Sequence, residues 1–594
     1  MSRRHIYPVN VDKLLRNPTF TKADALAALQ GIKLPHGLAR RVLRLCVIHG
    51  IRYHPSFADG AASVLRAAHE RPEFARALNA RAIMSGLVPD MDPEGRPQDL
   101  PYCIWHPTVP SEDALRRLVA RYPAMTYQVG RACAVGGYTT LYRELDILPE
   151  VAIAEEARAA GSTDIFADIM AHPVRYRVFN DYTRAINSSN PAAPAYLNGD
   201  TAVRDRLDVK QAFEQPRGQR DPDDPAVEDW QDDKRLKSWE LGFRPQTFDI
   251  TEDQSIDEHA TFDRLWREEP LRPFEVPMAN LLVQPLPPDL PEGEKGLLIL
   301  MAAYNGDIDR YARLRRPVML RDELFCLMRG AYHHPLFAAW LVSLGEEELF
   351  ARMRDRTLHN RMALTMALRA RAIMNNDLSR LPSPAGLSEE AAGEGYVGLP
   401  YLIWYPTLAA ETTYAELARR LPQMRQAVAR AAVFGGMRTL FDSLLDADAN
   451  FCPDWFVLLE ATANPNGAHY RAAIEARAAV LGVDMSDEVA RRRHSHEDWK
   501  RYSVGADTGR SLFSAFPRSS NRLGPGWGHG IVLADRENIE AIYNGVGCDA
   551  SMVELAATLP VELKPKGLGV DPEVNSRDLD YVEWPPAHGT SPVA

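Results

Sequence analysis

The chain has 594 residues, 45% of them apolar, a net charge of −11, and six cysteines that form no CxxC pair. That balance argues against a nucleic-acid or anionic-membrane surface spread over the whole protein, and the scattered cysteines argue against a zinc ribbon or a disulfide scaffold. No window reaches the ~18 apolar residues a bilayer span requires, and the N-terminal MSRRHIYPVN lacks the apolar core of a signal peptide, so a reducing compartment, cytoplasm or nucleus, is expected.

Residues 1–208 read as a first helical block. Cys46, four positions before Gly50, and the pair Pro55 and Phe57 come first, followed by ARAIM at 80–84 and LPYCIWHPT at 100–108. Leu115, Leu118, Val119 and Tyr122 fall at helical spacing, with Ser111 placed to cap the start and Pro123 to end it. RACAVGGYTTLYREL at 131–145 and EARAAGSTDIFADIM at 156–170 each run from small residues through a glycine to an apolar stripe. Small residues let helices approach, and the glycine permits a left-handed turn between them.

Residues 209–274 read as an acidic, proline-containing linker, with Trp230 and Trp239 available as anchors for a partner or for the second half. A second helical block follows at 275–485, carrying MAAYNGDIDRYARL at 301–314, ARAIM again at 370–374, LPYLIWYPT at 399–407 and RAAVFGGMRTLFDSLL at 430–445. Residues 486–594 read as an extension with a basic loop beginning at Arg491, Arg492 and Arg493, then capping helices and a disordered tail.

The two blocks repeat one another. At a shift of 299 positions, residues 100–145 and 399–444 share about 20 identities in 46. They include Trp105 and Trp404, Pro107 and Pro406, and the glycine pairs Gly136-Gly137 and Gly435-Gly436. Cys46, Gly50, Pro55 and Phe57 answer to Cys326, Gly330, Pro335 and Phe337. The tryptophans are expected to be buried plugs between helical pairs, because Leu, Tyr and Ile flank them. Gly136 and Gly435 are expected to take the positive backbone torsion.

The helix–glycine–helix unit resembles the ankyrin repeat at its helix–turn–helix portion, most closely at Ala302, Ala303, Gly306, Ile308 and Leu314. The chain is similar in this to uncharacterised ankyrin-like proteins of filamentous fungi. The TPLH tetrapeptide is missing, and Gly136 to Gly161 and Gly306 to Gly330 are shorter than the repeat of ~33 residues. The resemblance therefore implies an all-α fold, an α-solenoid of fingerless ankyrin-like hairpins in two duplicated blocks joined by an acidic linker.

No GxSxG, HExxH or GxxxxGK[ST] is present, and His333, His334, His494 and His496 lack a four-ligand spacing. The expectation is a non-enzymatic scaffold or adaptor for a protein partner, with no metal, cofactor, small-molecule ligand or membrane. Two alternatives stand beside it: an enzyme with a loop-borne site, and a regulatory protein acting on nucleic acid through Arg491–Arg522.

Overall fold

The structure is a computed structural model that describes residues 11–201, 210–212, 247–249 and 281–485, the last with gaps at 283, 294, 318, 321–322, 354–357, 384–398 and 405. The first half runs α1 (Val11–Arg16), α2 (Lys22–Leu29), α3 (Arg41–Tyr53), α4 (Pro55–Leu65), α5 (Pro72–Met84), α6 (Glu112–Arg121), α7 (Thr126–Gly136), α8 (Thr139–Glu144), α9 (Val151–Ala160) and α10 (Thr163–Met170). A minimal antiparallel pair follows, β1 (Phe179–Asn180) with β2 (Ala185–Ile186). The second half runs α11 (Gly296–Tyr304), α12 (Ile308–Leu314), α13 (Glu323–His333), α14 (Pro335–Ser343), α15 (Glu346–Ala351), α16 (Leu358–Met374), α17 (Glu411–Arg420), α18 (Arg425–Gly435), α19 (Arg438–Ala447), α20 (Trp455–Ala463) and α21 (Ala468–Leu481). The fold is mostly helical, as the absence of long period-2 alternation predicts.

Helix ends follow from local chemistry. Ser111 Oγ accepts from the Ala114 N–H at the start of α6, whereas α17 begins at Ala410, which has no such side chain. There Asn376 Oδ1, from beyond the end of α16, accepts from the Ala410 N–H in its place. Pro123 and Pro422 stop α6 and α17 and open one turn of 3-10 helix each, since proline cannot donate into the preceding turn.

Packing runs mainly between chain neighbours: α2 on α3, α3 on α5, α7 on α9, and again α11 on α13, α13 on α16, α18 on α20. The α2–α3 and α11–α13 contacts are close enough to demand glycine. A Cβ on Gly50 would stand 2.1 Å from the Ala28 carbonyl oxygen, and one on Gly330 2.1 Å from that of Ala303. Cys46 and Cys326 are fully buried in these seams, and burial pushes the Cys46 thiol far above its ordinary range, which suits a small core residue and not a nucleophile.

One expectation needs correction. The left-handed residue is not Gly136 or Gly435 but the next one in each pair: Gly137 at φ +71° and Gly436 at φ +70°. Gly136 and Gly435 are the last helical residues, and Gly136 is needed because a Cβ there would meet the Tyr138 ring at 2.6 Å. Within the span read as an acidic linker, β3 (Lys210–Ala212) pairs antiparallel with β4 (Thr247–Asp249).

Candidate functional site

The repeated nine-residue stretch is an extended segment threaded between helices, and each half holds it with a buried arginine. In the first half Arg131, on α7 and 1% exposed, donates to Asp181 Oδ1 at 2.6 Å and Oδ2 at 3.2 Å and to Glu156 Oε1 at 3.2 Å. Its guanidinium also lies 4.9 Å from the Trp105 ring centre and 5.0 Å from that of Phe179. The Tyr102 hydroxyl donates to the same Asp181 oxygen at 2.7 Å.

Burial alone would raise the Asp181 carboxyl, but the charge and hydrogen bonds of Arg131 hold it below the ordinary carboxylate range. Burial and the neighbouring Asp181 charge drive the Tyr102 phenol well above its ordinary value, so it stays a neutral donor.

The second half builds a corresponding joint around Arg430. Arg430, on α18 and 1% exposed, donates to Glu460 Oε2 at 2.9 Å and reaches the Tyr401 hydroxyl at 3.5 Å. Its guanidinium lies 5.1 Å from the Trp404 ring centre. Trp105 and Trp404 are 2% and 1% exposed, and neither indole N–H finds a protein acceptor. Burying that donor is unfavourable unless the ring serves another purpose, and here it supplies the face on which the guanidinium rests.

The clamp on the other side of the segment differs between halves. Arg52, from α3, donates to the Cys103 and His106 carbonyls. Its counterpart by sequence is Tyr332, and in the second half the segment is instead held by the Tyr414 hydroxyl, which donates to the Ile403 carbonyl at 2.7 Å. ARAIM has a role in the same frame: Arg81 donates to the Arg52 carbonyl at 2.8 Å and Arg371 to the Tyr332 carbonyl at 2.9 Å.

A different arrangement joins the two halves. Residues 197–201 meet 289–295: Leu290 N–H donates to the Leu197 carbonyl at 3.0 Å, and Lys295 Nζ donates to the carbonyls of Asn198, Gly199 and Thr201 at 2.5, 2.7 and 3.2 Å. Glu155, beneath them, accepts from the Thr201 hydroxyl at 3.1 Å and pairs with Arg158 at 2.6 Å. Burial raises the Glu155 carboxyl to about 7, and Glu150, whose carboxylate accepts from the Ile153, Val178 and Phe179 N–H groups, is likewise raised by burial to about 7.

Two surface clefts open on the described residues, of about 240 Å³ beside Glu346, Leu349 and Arg369 and about 440 Å³ beside Tyr127 and Asp146. Among the described residues no group of three His, Cys, Asp or Glu is placed to hold a metal ion, and no helix is long and apolar enough to cross a membrane.

With the joint and the clasp in view, comparison with known proteins falls on one part of the chain. Residues 105–209 match the family described as the YKP1 C-terminal domain. The stretch begins at Trp105 and contains Arg131, Glu156, Asp181 and the first-half side of the clasp. A curated relative, the "Uncharacterized killer plasmid pGKl-2 protein 1" of Kluyveromyces lactis, is 26% identical over 126 residues, 21% of this chain and 52% of that protein. The chain thus matches about half the relative's length. No solved structure matches.

Of the residues singled out in the sequence, Trp105 and Trp404 lie at the two joints, Pro107 and Pro406 follow them in the repeated stretch, and Gly136-Gly137 and Gly435-Gly436 close the helices that carry Arg131 and Arg430. Gly306 sits apart, at φ +64° between α11 and α12, against the His334 ring. Trp230, Trp239, Arg491, Arg492 and Arg493 lie outside the described residues, as do the expected capping helices and tail. The sequence reading missed Arg131 and Arg430 as the centres of the joints. The signal was available, because both arginines stand at the shift of 299 just ahead of the repeated glycines.

Proposed function

We propose that the protein is a non-enzymatic interaction scaffold, a two-block α-solenoid produced by internal duplication, with ankyrin-like helical hairpins as its units. The observation that carries this reading is the joint written twice. In each half a buried guanidinium, an indole face, a tyrosine and a carboxylate are spent on fixing one extended segment between helical pairs. Buried polar networks of this kind specify geometry more than they add stability. The helix–glycine–helix hairpins around them support the ankyrin-like assignment, since the turns at Gly137, Gly161, Gly306 and Gly436 all sit at φ between +64° and +73°.

A rigid frame repeated along a chain presents helix faces at fixed spacing, which is what a protein partner reads. The partner is a protein, encountered in the cytoplasm or nucleus. Cross-linking mass spectrometry on a complex isolated with the tagged full chain tests the proposal. Cross-links concentrated on exposed helix faces of either block are expected. A stoichiometric metal or organic cofactor in the purified chain, with cross-links absent from the helical blocks, would overturn it.

A further inference from the structure

Charge is distributed unevenly along this acidic chain. The first 54 residues hold ten Lys and Arg against two acids, whereas the whole chain carries −11. Of those two acids Asp24 is buried and already paired with Lys33 at 2.9 Å. Segregation of this kind marks a surface that meets an anionic ligand.

The fold gathers part of this charge on one seam. Residues 33–41, KLPHGLARR, are stapled along the end of α1: the Leu38 N–H donates to the Leu14 carbonyl at 2.8 Å, the Ala39 N–H to that of Asn17 at 3.2 Å, and Asn17 Nδ2 to that of His36 at 2.7 Å. The approach is close enough that a Cβ on Gly37 would stand 2.3 Å from the Asn17 carbonyl oxygen. The buried Arg44 guanidinium donates to the Leu38 and Ala39 carbonyls at 3.2 and 2.7 Å and pairs with Glu73. Arg40 is fixed as well, its Nε on the Pro18 carbonyl at 2.9 Å and its guanidinium 5.9 Å from the Phe20 ring centre. Lys13 and Arg16, exposed one turn apart on α1, and Lys33, Arg40 and Arg41 on the loop therefore carry their charge on a fixed backbone.

The same chain supplies the complementary charge. In residues 221–233, which lie outside the described residues, seven of thirteen side chains are acidic and none is basic. The path to them starts beside the basic seam. Tyr182 is buried in the core that also holds Leu14 and Leu38, and its hydroxyl donates to the Thr201 carbonyl at 3.2 Å. Thr201 is the last described residue before Lys210, and the chain from there to residue 221 reaches up to about 65 Å when extended. By comparison α3, which crosses this core, is about 20 Å long.

We propose that the basic seam of α1 and the 33–41 loop is an intramolecular docking surface, occupied by the acidic residues 221–233 of the same chain. Tethering favours this occupant over a free polyanion, because a flexibly linked segment acts at an effective concentration in the millimolar range. An outside polyanion then reaches the seam only by displacing the segment. Exposed charges are screened over about 10 Å at 0.1 M salt and about 3 Å at 1 M, so docking weakens as salt rises.

Zero-length carbodiimide cross-linking of the full-length monomer joins carboxylates to amines in contact with them. It is expected to link Lys13 or Lys33 to the tryptic peptide that begins at residue 221, strongly at low salt and weakly near 1 M. A labelled DNA oligonucleotide serves as the outside polyanion in an anisotropy titration. Replacing the seven acids of 221–233 by Asn and Gln is expected to tighten its binding about tenfold or more, and adding Lys13→Ala and Arg16→Ala, both exposed, is expected to reverse the gain.

Absence of the intramolecular cross-link would overturn the proposal. So would cross-links found only in dimers, since they would make a second copy the occupant. Oligonucleotide binding that neutralisation leaves unchanged, whether tight or absent, would overturn it too. A gain that survives the Lys13 and Arg16 substitutions would be an effect of net charge alone and would refute docking on this seam.

Discussion

Replacing Arg131 with methionine tests whether the joint is held electrostatically. Asp181 and Glu156 would stay behind as nearly inaccessible carboxylates, with side chains 1% and 3% exposed. Breaking a buried pair by removing one partner costs about 3–5 kcal/mol, and each lost guanidinium–ring contact adds about 0.5–1 kcal/mol. The Tyr102 hydroxyl still donates to Asp181, and Arg184 remains 3.6 Å away, which offsets part of the loss. The expected net effect is about 4 kcal/mol, or roughly 8–16 °C in the unfolding midpoint of the first half.

The equivalent Arg430→Met strands Glu460, whose side chain is fully buried, and should likewise lower the midpoint of the second half. The pH dependence carries the sign of the argument. In the unsubstituted protein the Asp181 pKa lies below its ordinary 3.8, so its stabilisation is present above that value and is lost as pH falls through the lowered one. In the variant burial acts without the arginine and raises the same group, so protonation at mildly acid pH relieves the penalty. The gap between the two proteins, followed by thermal circular dichroism, should therefore narrow from pH 7.5 to pH 5. A loss below about 1 kcal/mol, or a gap that does not change with pH, would refute the reasoning.

Gly137→Val should destabilise the first half by about 1–3 kcal/mol, because a β-branched residue resists φ +71°, whereas Gly137→Asn should be well tolerated; chemical denaturation of both variants separates the cases. Gly50→Ala and Gly330→Ala should lower the midpoints of their respective halves by similar amounts, since both Cβ atoms collide with a helix carbonyl at 2.1 Å. The raised Glu155 carboxyl contributes stability that is full below about 4.5 and is lost as pH rises towards 7, so Glu155→Gln should flatten that part of the midpoint-versus-pH curve. Limited proteolysis between Arg217 and Glu258 should give two helical fragments that co-elute on gel filtration, held by the Asp289, Leu290 and Lys295 contacts.

The helices were legible because their signals are local: proline stops, the Ser111 cap and the apolar spacing of Leu115 and Leu118 act within a few residues. The burial of Trp105 and Trp404 was legible from their apolar neighbours. Their arginine partners were not, because the joint brings Arg131 to Asp181 across 50 positions and no periodicity announces such a pairing. The shift by one residue from Gly136 to Gly137 shows the limit of a GG pair. Either glycine permits the turn; each helix runs on through the first and leaves the second to make it. The clasp was hidden for a further reason, since LPPDLPEG has the composition of an ordinary connector and its meaning lies in what faces it.

That clasp also separates chain length from geometry. Thr201 and Lys295 are bonded neighbours although 94 positions separate them along the chain, so this contact between the two halves is made by Lys295 and its carbonyl acceptors and not by proximity in sequence.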